Sequence, residues 1–322
     1  MFLLNSFQDF SFGDEIEEPF EMADGIYLAW TSPFIESLIS DRMKLAIGGL
    51  EYLDLIERQI AVFTRGIADE SLEPLQILSI WHNSLLEFVF SLWLIKDNSI
   101  NIGLGFLFSV DPSGKEIGSS NSRASLYTLA NGCRHPEKFT RCELLQARGL
   151  YERLHRIGAR TTRPSTLNPV EQVQPSGTII SADEVRALSR ATFFADSARD
   201  CTDLSVKISH YMTCLEVLFS TGSSEIVHKL AERIALFLGG NYEERRLLFN
   251  RVKKLYNIRS KVVHGDVMGS TAARTLADVS RDADSLVREV LRRIIDSTEL
   301  LDLFEGDKTT REDYFIDLVL RR

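Results

Sequence analysis

The sequence predicts a mainly α protein: a C-terminal four-helix bundle preceded by a mostly helical N-terminal domain with one short β-hairpin. Three observations lead there. Apolar residues recur at three- and four-residue spacings through most of the chain. Four consecutive amphipathic segments in the C-terminal half have short connections, which favours antiparallel neighbours. In the N-terminal half, Asp111-Pro-Ser-Gly114 is a turn signal that follows an apolar run.

The elements follow in chain order. Residues 35–65 and 72–95 have helical spacing and helical length. The run at 75–95 is the only long apolar one. Gln76, His82, Asn83 and Glu87 interrupt it, which suits a buried helix better than a lipid-exposed one. Trp81, Phe88, Phe90 and Trp93 in that run read as core packing. Residues 102–110 are apolar with glycines and lead into the turn, so a strand or hairpin is expected there. Residues 143–157 return to helical spacing. The segment 158–179 carries three prolines and few apolar residues and reads as a linker, separating an N-terminal domain (1–157) from the bundle (180–322).

Beyond the linker, Ser181-Ala-Asp-Glu184 has the form of a capping box. Helical spacing runs from 182 to 219 with a break at 200–203. A second helix, with Ser223 or Ser224 as cap, ends at Gly239-Gly240. Asn241 caps a third that reaches 263 or 264, with Gly265 just past it. A fourth, 272–296, places Leu276, Val279, Ala283, Leu286, Val287, Val290, Leu291 and Ile294 on one stripe. Residues 313–320 read as a short docking helix.

Composition narrows the function classes. With 322 residues, 44% hydrophobic and 26% charged, the chain is an ordinary globular protein and not a disordered or collagenous one. Four scattered cysteines do not make a secreted disulfide framework, and the N-terminus lacks the basic region of a signal peptide, so a cytoplasmic location is expected. The net charge of -9 is unevenly spread. Residues 1–24 hold seven acids and no Lys or Arg, with Phe2, Phe7, Phe10, Phe12 and Phe20 interleaved. Such a segment reads as a flexible acidic arm, or as an RNA mimic docked on a basic helix. Residues 241–264 show the reverse bias: seven bases against two acids, a patch suited to phosphates or a solvated helix face.

Within that patch lies Arg259-Ser-Lys-Val-Val-His264. A histidine at a helix C-terminus is drawn toward the imidazolium form, which suits acid–base chemistry, and a guanidinium suits a phosphate. The same placement also serves simply to complement the helix end. On an ideal helix the two residues lie about 140° apart, so they share a face only if the last turn unwinds. Elsewhere, Cys133, His135 and Cys142 offer three zinc-type ligands without a fourth, and no metal or cofactor is expected. His228, four residues before Glu232, reads as a helix-surface histidine or as one lining a cleft.

The segment CLEVLFSTGSSEIVHKLAERIALFLGGNYEERRLLFNRVKKLYNIRSKVVHG, residues 214–265, resembles the core of the HEPN superfamily, closest to its Apea-like branch. The likeness rests on Leu215-Glu216, the Glu225-to-Ala235 run, the Gly239-Gly240 stop and, most specifically, Tyr256-Asn-Ile-Arg-Ser-Lys-Val-Val-His-Gly265. It covers about 50 residues closely and about 140 by helix order, and none of residues 1–157. The resemblance implies a four-helix bundle that dimerises to form a composite site. It also implies metal-independent cleavage of RNA to a 2′,3′-cyclic phosphate, in bacterial defence against phage. Arg259 and His264 would then be the catalytic pair, with Asn257 and Ser260 supporting and Arg251, Lys253, Lys254 and Lys261 holding flanking phosphates. Other members of the superfamily are catalytically silent modules that bind protein or nucleic acid. On this reading the N-terminal domain senses a phage-derived or cellular trigger or selects substrate, and no membrane is involved.

Overall fold

The computed structural model describes residues 1–13, 18–30, 38–57, 60–67, 71–110, 113–114, 116–121, 125–160, 186–222, 225–263 and 272–320. The chain forms two compact units. The first comprises residues 1–127, 134–157 and 162–177; the second comprises 128–133, 158–161 and 178–322.

The first unit overturns the mainly α expectation, because its centre is an antiparallel sheet and the fold is mixed α/β. Its elements are β1 (Phe2–Gln8), β2 (Phe10–Phe12), β3 (Phe20–Ala23), β4 (Ile26–Trp30), α1 (Asp41–Ile47), α2 (Gly49–Glu57), β5 (Ile60–Arg65) and α3 (Pro74–Ile95). They continue with β6 (Asn101–Ile102), β7 (Gly105–Val110), β8 (Glu116–Asn121), β9 (Glu137–Phe139) and α4 (Arg141–Arg160). Seven strands form one sheet in the order β3-β4-β5-β1-β7-β8, with β6 also paired to β1. Every pairing in it is antiparallel, for example Leu4↔Phe63 and Leu4↔Phe106. β2 and β9 form a separate parallel pair.

The physical reason for the misreading lies in β1. A strand covered on both faces has no alternation of apolar and polar residues, and its short apolar run cannot be told from a helix by periodicity. In β1, Leu3 and Phe7 enter one core with Leu78, Trp81 and Leu85 of α3, while Phe2 and Leu4 enter another with Ile47 and Leu55. The buried Asn5 at the middle of the strand is hydrogen-bonded at both ends of its amide: Asn5 Nδ2 donates to the Gly103 carbonyl at 2.8 Å, and Trp81 Nε1 donates to Asn5 Oδ1 at 2.6 Å. The acidic arm is corrected by the same observation. Phe2, Phe7, Phe10, Phe12 and Phe20 are all buried in strands, so the described part of this segment is structural core rather than a flexible tail or a mimic docked elsewhere.

Residues 102–110, expected to form a strand or hairpin, contribute to β6 and β7, and β7 pairs with β8 from Gly105↔Asn121 to Val110↔Glu116. α3 is the one described helix long and apolar enough to cross a membrane, but Leu78, Trp81, Leu85, Phe88 and Trp93 are buried within the unit.

The second unit is helical: α5 (Ala187–Arg199), α6 (Leu204–Phe219), α7 (Ile226–Leu238), α8 (Tyr242–Val263), α9 (Ala272–Asp296), α10 (Thr298–Glu305) and α11 (Lys308–Leu320). The expected capping box at 181–184 and the caps Ser223 and Ser224 lie outside the described residues. The break at 200–203 is present, and Asp203 Oδ1 caps α6 by accepting from the amides of Ser205 and Val206. α6 is the central helix, packing against α5, α7, α8 and α9. α7 stops at Gly239 and Gly240, whose φ angles of 80° and 96° lie in the region open mainly to glycine. Asn241 and Glu244 then form a reciprocal box that starts α8: each side chain accepts from the other's amide, at 3.1 and 2.8 Å.

The stripe on α9 from Val279 to Ile294 is buried, each Val, Leu or Ile contributing about 1.5–3 kcal/mol. Residues 128–133 belong to this unit. Thr128 N donates to the Arg199 carbonyl at 2.9 Å, and the buried Lys207 Nζ donates to the Ala198 carbonyl at 2.7 Å, satisfying the C-terminus of α5.

Candidate functional site

The sequence-predicted residues sit on α8, and helix geometry sorts them by face. Val252 and Leu255 form its buried stripe, and Arg259, seven residues after Val252, continues it. That position aims Arg259 at α6, where Glu216 interrupts an otherwise apolar run. Arg259 Nη1 lies 3.3 Å from Glu216 Oε1, and Nη2 donates to Glu216 Oε2 at 3.4 Å.

Tyr256, one turn earlier on α8, completes the group. Arg259 Nη1 donates to its hydroxyl at 3.2 Å, and the guanidinium carbon lies 5.3 Å from its ring centre. Burial raises the Tyr256 phenol, and the Glu216 charge and hydrogen bond raise it further against the opposing pull of Arg259, so this phenol keeps its proton. The result is a closed Glu216–Tyr256–Arg259 cluster with Arg259 about a quarter exposed. Arg259 Nε is buried and has no hydrogen-bond partner among the described residues.

The other predicted residues separate from this cluster. His264 lies outside the described residues. Ser260 is half-buried, while Asn257, Lys253, Lys254 and Lys261 are exposed along α8. Arg251 is engaged in the bundle: its Nε lies 2.6 Å from Asp282 Oδ1, and Nη1 lies 3.9 Å from Glu289. His228 is exposed on α7 and sets its ring edge-on to Phe249 at 5.3 Å. Cys133 and Cys142 are exposed and free, and no three His, Cys, Asp or Glu side chains among the described residues are grouped to hold a metal ion.

Sequence reasoning missed the partners of Arg259. Glu216 had a legible signal, a lone carboxylate between leucine and valine on a helix that must be buried. Tyr256 had one too, at a three-residue spacing that puts it beside Arg259. Chemically, the cluster can hold a guanidinium at a fixed angle beside an un-ionised phenol, an arrangement suited to an oxyanion. No known protein family, curated protein or solved structure matches this chain.

Proposed function

We propose that the C-terminal unit is a metal-independent endoribonuclease of the HEPN kind, working as a homodimer with a composite site. The observation that supports this most is the pre-set guanidinium of Arg259, restrained by Glu216 and Tyr256 at the end of a basic helix. In this reading the RNA 2′-hydroxyl attacks its own phosphate. Its proton passes to one His264, and the leaving 5′-oxygen takes a proton from the other His264 of the dimer. Arg259 stabilises the charge on the phosphorane. The N-terminal unit senses a trigger, phage-derived or cellular, or selects substrate.

The test is cleavage of mixed cellular RNA in EDTA by wild type, Arg259→Ala and His264→Ala. Fragments ending in 2′,3′-cyclic phosphate with wild type alone support the reading. Intact RNA with wild type, in the presence and absence of phage lysate, overturns it.

One observation favours a second reading, a catalytically silent module that binds protein or nucleic acid. The Glu216 carboxylate already neutralises Arg259, as it would if the pair only tied α6 to α8.

A further inference from the structure

A different face of α8 carries its own pattern. Tyr242, Arg246, Phe249, Lys253, Tyr256 and Ser260 follow one another at alternating spacings of four and three residues, so they form one stripe. It is centred about 100° around the helix from Arg259, away from the buried Val252 and Leu255. The stripe alternates aromatic and basic side chains along about 27 Å and ends beside Arg259.

Tyr242 is 72% exposed, Lys253 is exposed, and Phe249 and Tyr256 are half-buried. Phe249 is held from the side by His228, and the Lys253 ammonium lies over its ring at 5.3 Å. Arg246 pairs with Glu243 at 3.3 Å, both side chains being more than half exposed, so the pair is weak and gives way to a phosphate.

We infer that this stripe is a track for unpaired RNA, about four nucleotides long, leading to the Arg259 cluster. Its two ingredients are those single-stranded nucleic acid needs: cations for successive phosphates and aromatic faces on which any base can stack. On binding, the flexible Lys253 side chain swings from the Phe249 ring to a phosphate, and a base takes the ring face. Duplex RNA hides its base faces and gains only the charge contacts. A second copy of the chain fits less well, since Glu243 flanks the stripe beside Arg246 and leaves Lys253 of each copy facing like charge. The assignment deepens the nuclease reading by naming its substrate, but binding and cleavage are read separately.

The experiment uses the full-length protein and fluorescein-labelled oligo(U) and oligo(A) eight-mers carrying 2′-O-methyl groups, which cannot be cut. A hairpin duplex with the same number of phosphates is the control. Anisotropy should show both eight-mers bound more tightly than the duplex. Phe249→Leu, which keeps the apolar packing, should weaken the eight-mers about tenfold and leave the duplex unchanged. Lys253→Gln, at an exposed position, should lower the slope of log affinity against log salt by about one. Equal affinity for duplex and single strand overturns the track, as do variants that bind like wild type. So does a change of oligomeric state in place of a change in affinity, which would assign the stripe to a second copy. If wild type binds as expected but leaves cleavable RNA intact, the track stands and the nuclease reading fails. If wild type cuts RNA while both variants bind normally, the nuclease reading stands and the track fails.

Discussion

The Glu216 carboxylate on α6 faces the Arg259 guanidinium on α8, with contacts of 3.3 and 3.4 Å. If Arg259 stabilises the phosphorane, Arg259→Ala should lower single-turnover cleavage by about 10²–10³-fold. Glu216→Gln keeps the shape of the pair but loosens its angle and should cost about tenfold. Rates of RNA cleavage in EDTA measure both. Unchanged cleavage by Arg259→Ala would remove this residue from the chemistry.

Arg233 and Glu312 give the bundle an acid-sensitive joint. Both Glu312 oxygens lie 2.8 Å from Arg233 Nη2, and Glu312 also accepts from the Thr221 hydroxyl. Burial pushes the Glu312 carboxyl up, but Thr221 and Arg233 outweigh it and the net shift is below the ordinary 4.5. A depressed folded-state value means that the stabilisation is present above about pH 4.5 and is lost as pH falls through the folded value. Glu312→Gln should therefore lower the Tm at pH 7 and flatten its decline below pH 4.5. Parallel acid declines in variant and wild type would show that other groups govern it.

The N-terminal strand should be indispensable to its unit. Phe7 is 1% exposed in the core shared with α3, so Phe7→Ala should cost about 3–5 kcal/mol. Urea denaturation followed by tryptophan fluorescence reports it directly, because Trp81 and Trp93 are buried in the same unit. A loss below 1 kcal/mol would contradict the placement of this strand.

Cysteine labelling provides a third check on both units. Cys133 and Cys142 are exposed, Cys201 is half-buried and Cys214 is fully buried on α6, where burial drives its thiol far up. An aromatic disulfide reagent at pH 8 should react with Cys133 and Cys142 within minutes, with Cys201 more slowly, and with Cys214 only after denaturation. Labelling of Cys214 in native protein, located by peptide mapping, would disprove the packing of α6.

Much of the helical half was legible because its longer helices carry buried stripes and several have recognisable ends, although α10 was not anticipated. The α9 stripe, the Gly239-Gly240 stop and the Asn241 cap could all be read from spacing and from the conformational preferences of single residues. The first half was not, because its strands are short and several are covered on both faces. Acids beside Phe7, Phe10 and Phe20 looked like a solvated arm, since charge content along the chain says nothing about which side of a strand a carboxylate leaves from.

At the candidate site, the chain by itself determined that Arg259 falls at the basic end of a helix and on its packing stripe. Those are consequences of local order at 3.6 residues per turn. That Glu216, 43 positions earlier, meets it, and that Arg251 is held by Asp282, only the tertiary structure decided. Side-chain pairing between helices depends on how deep each helix sits and how it is rotated, and those quantities are set by the whole core packing at once.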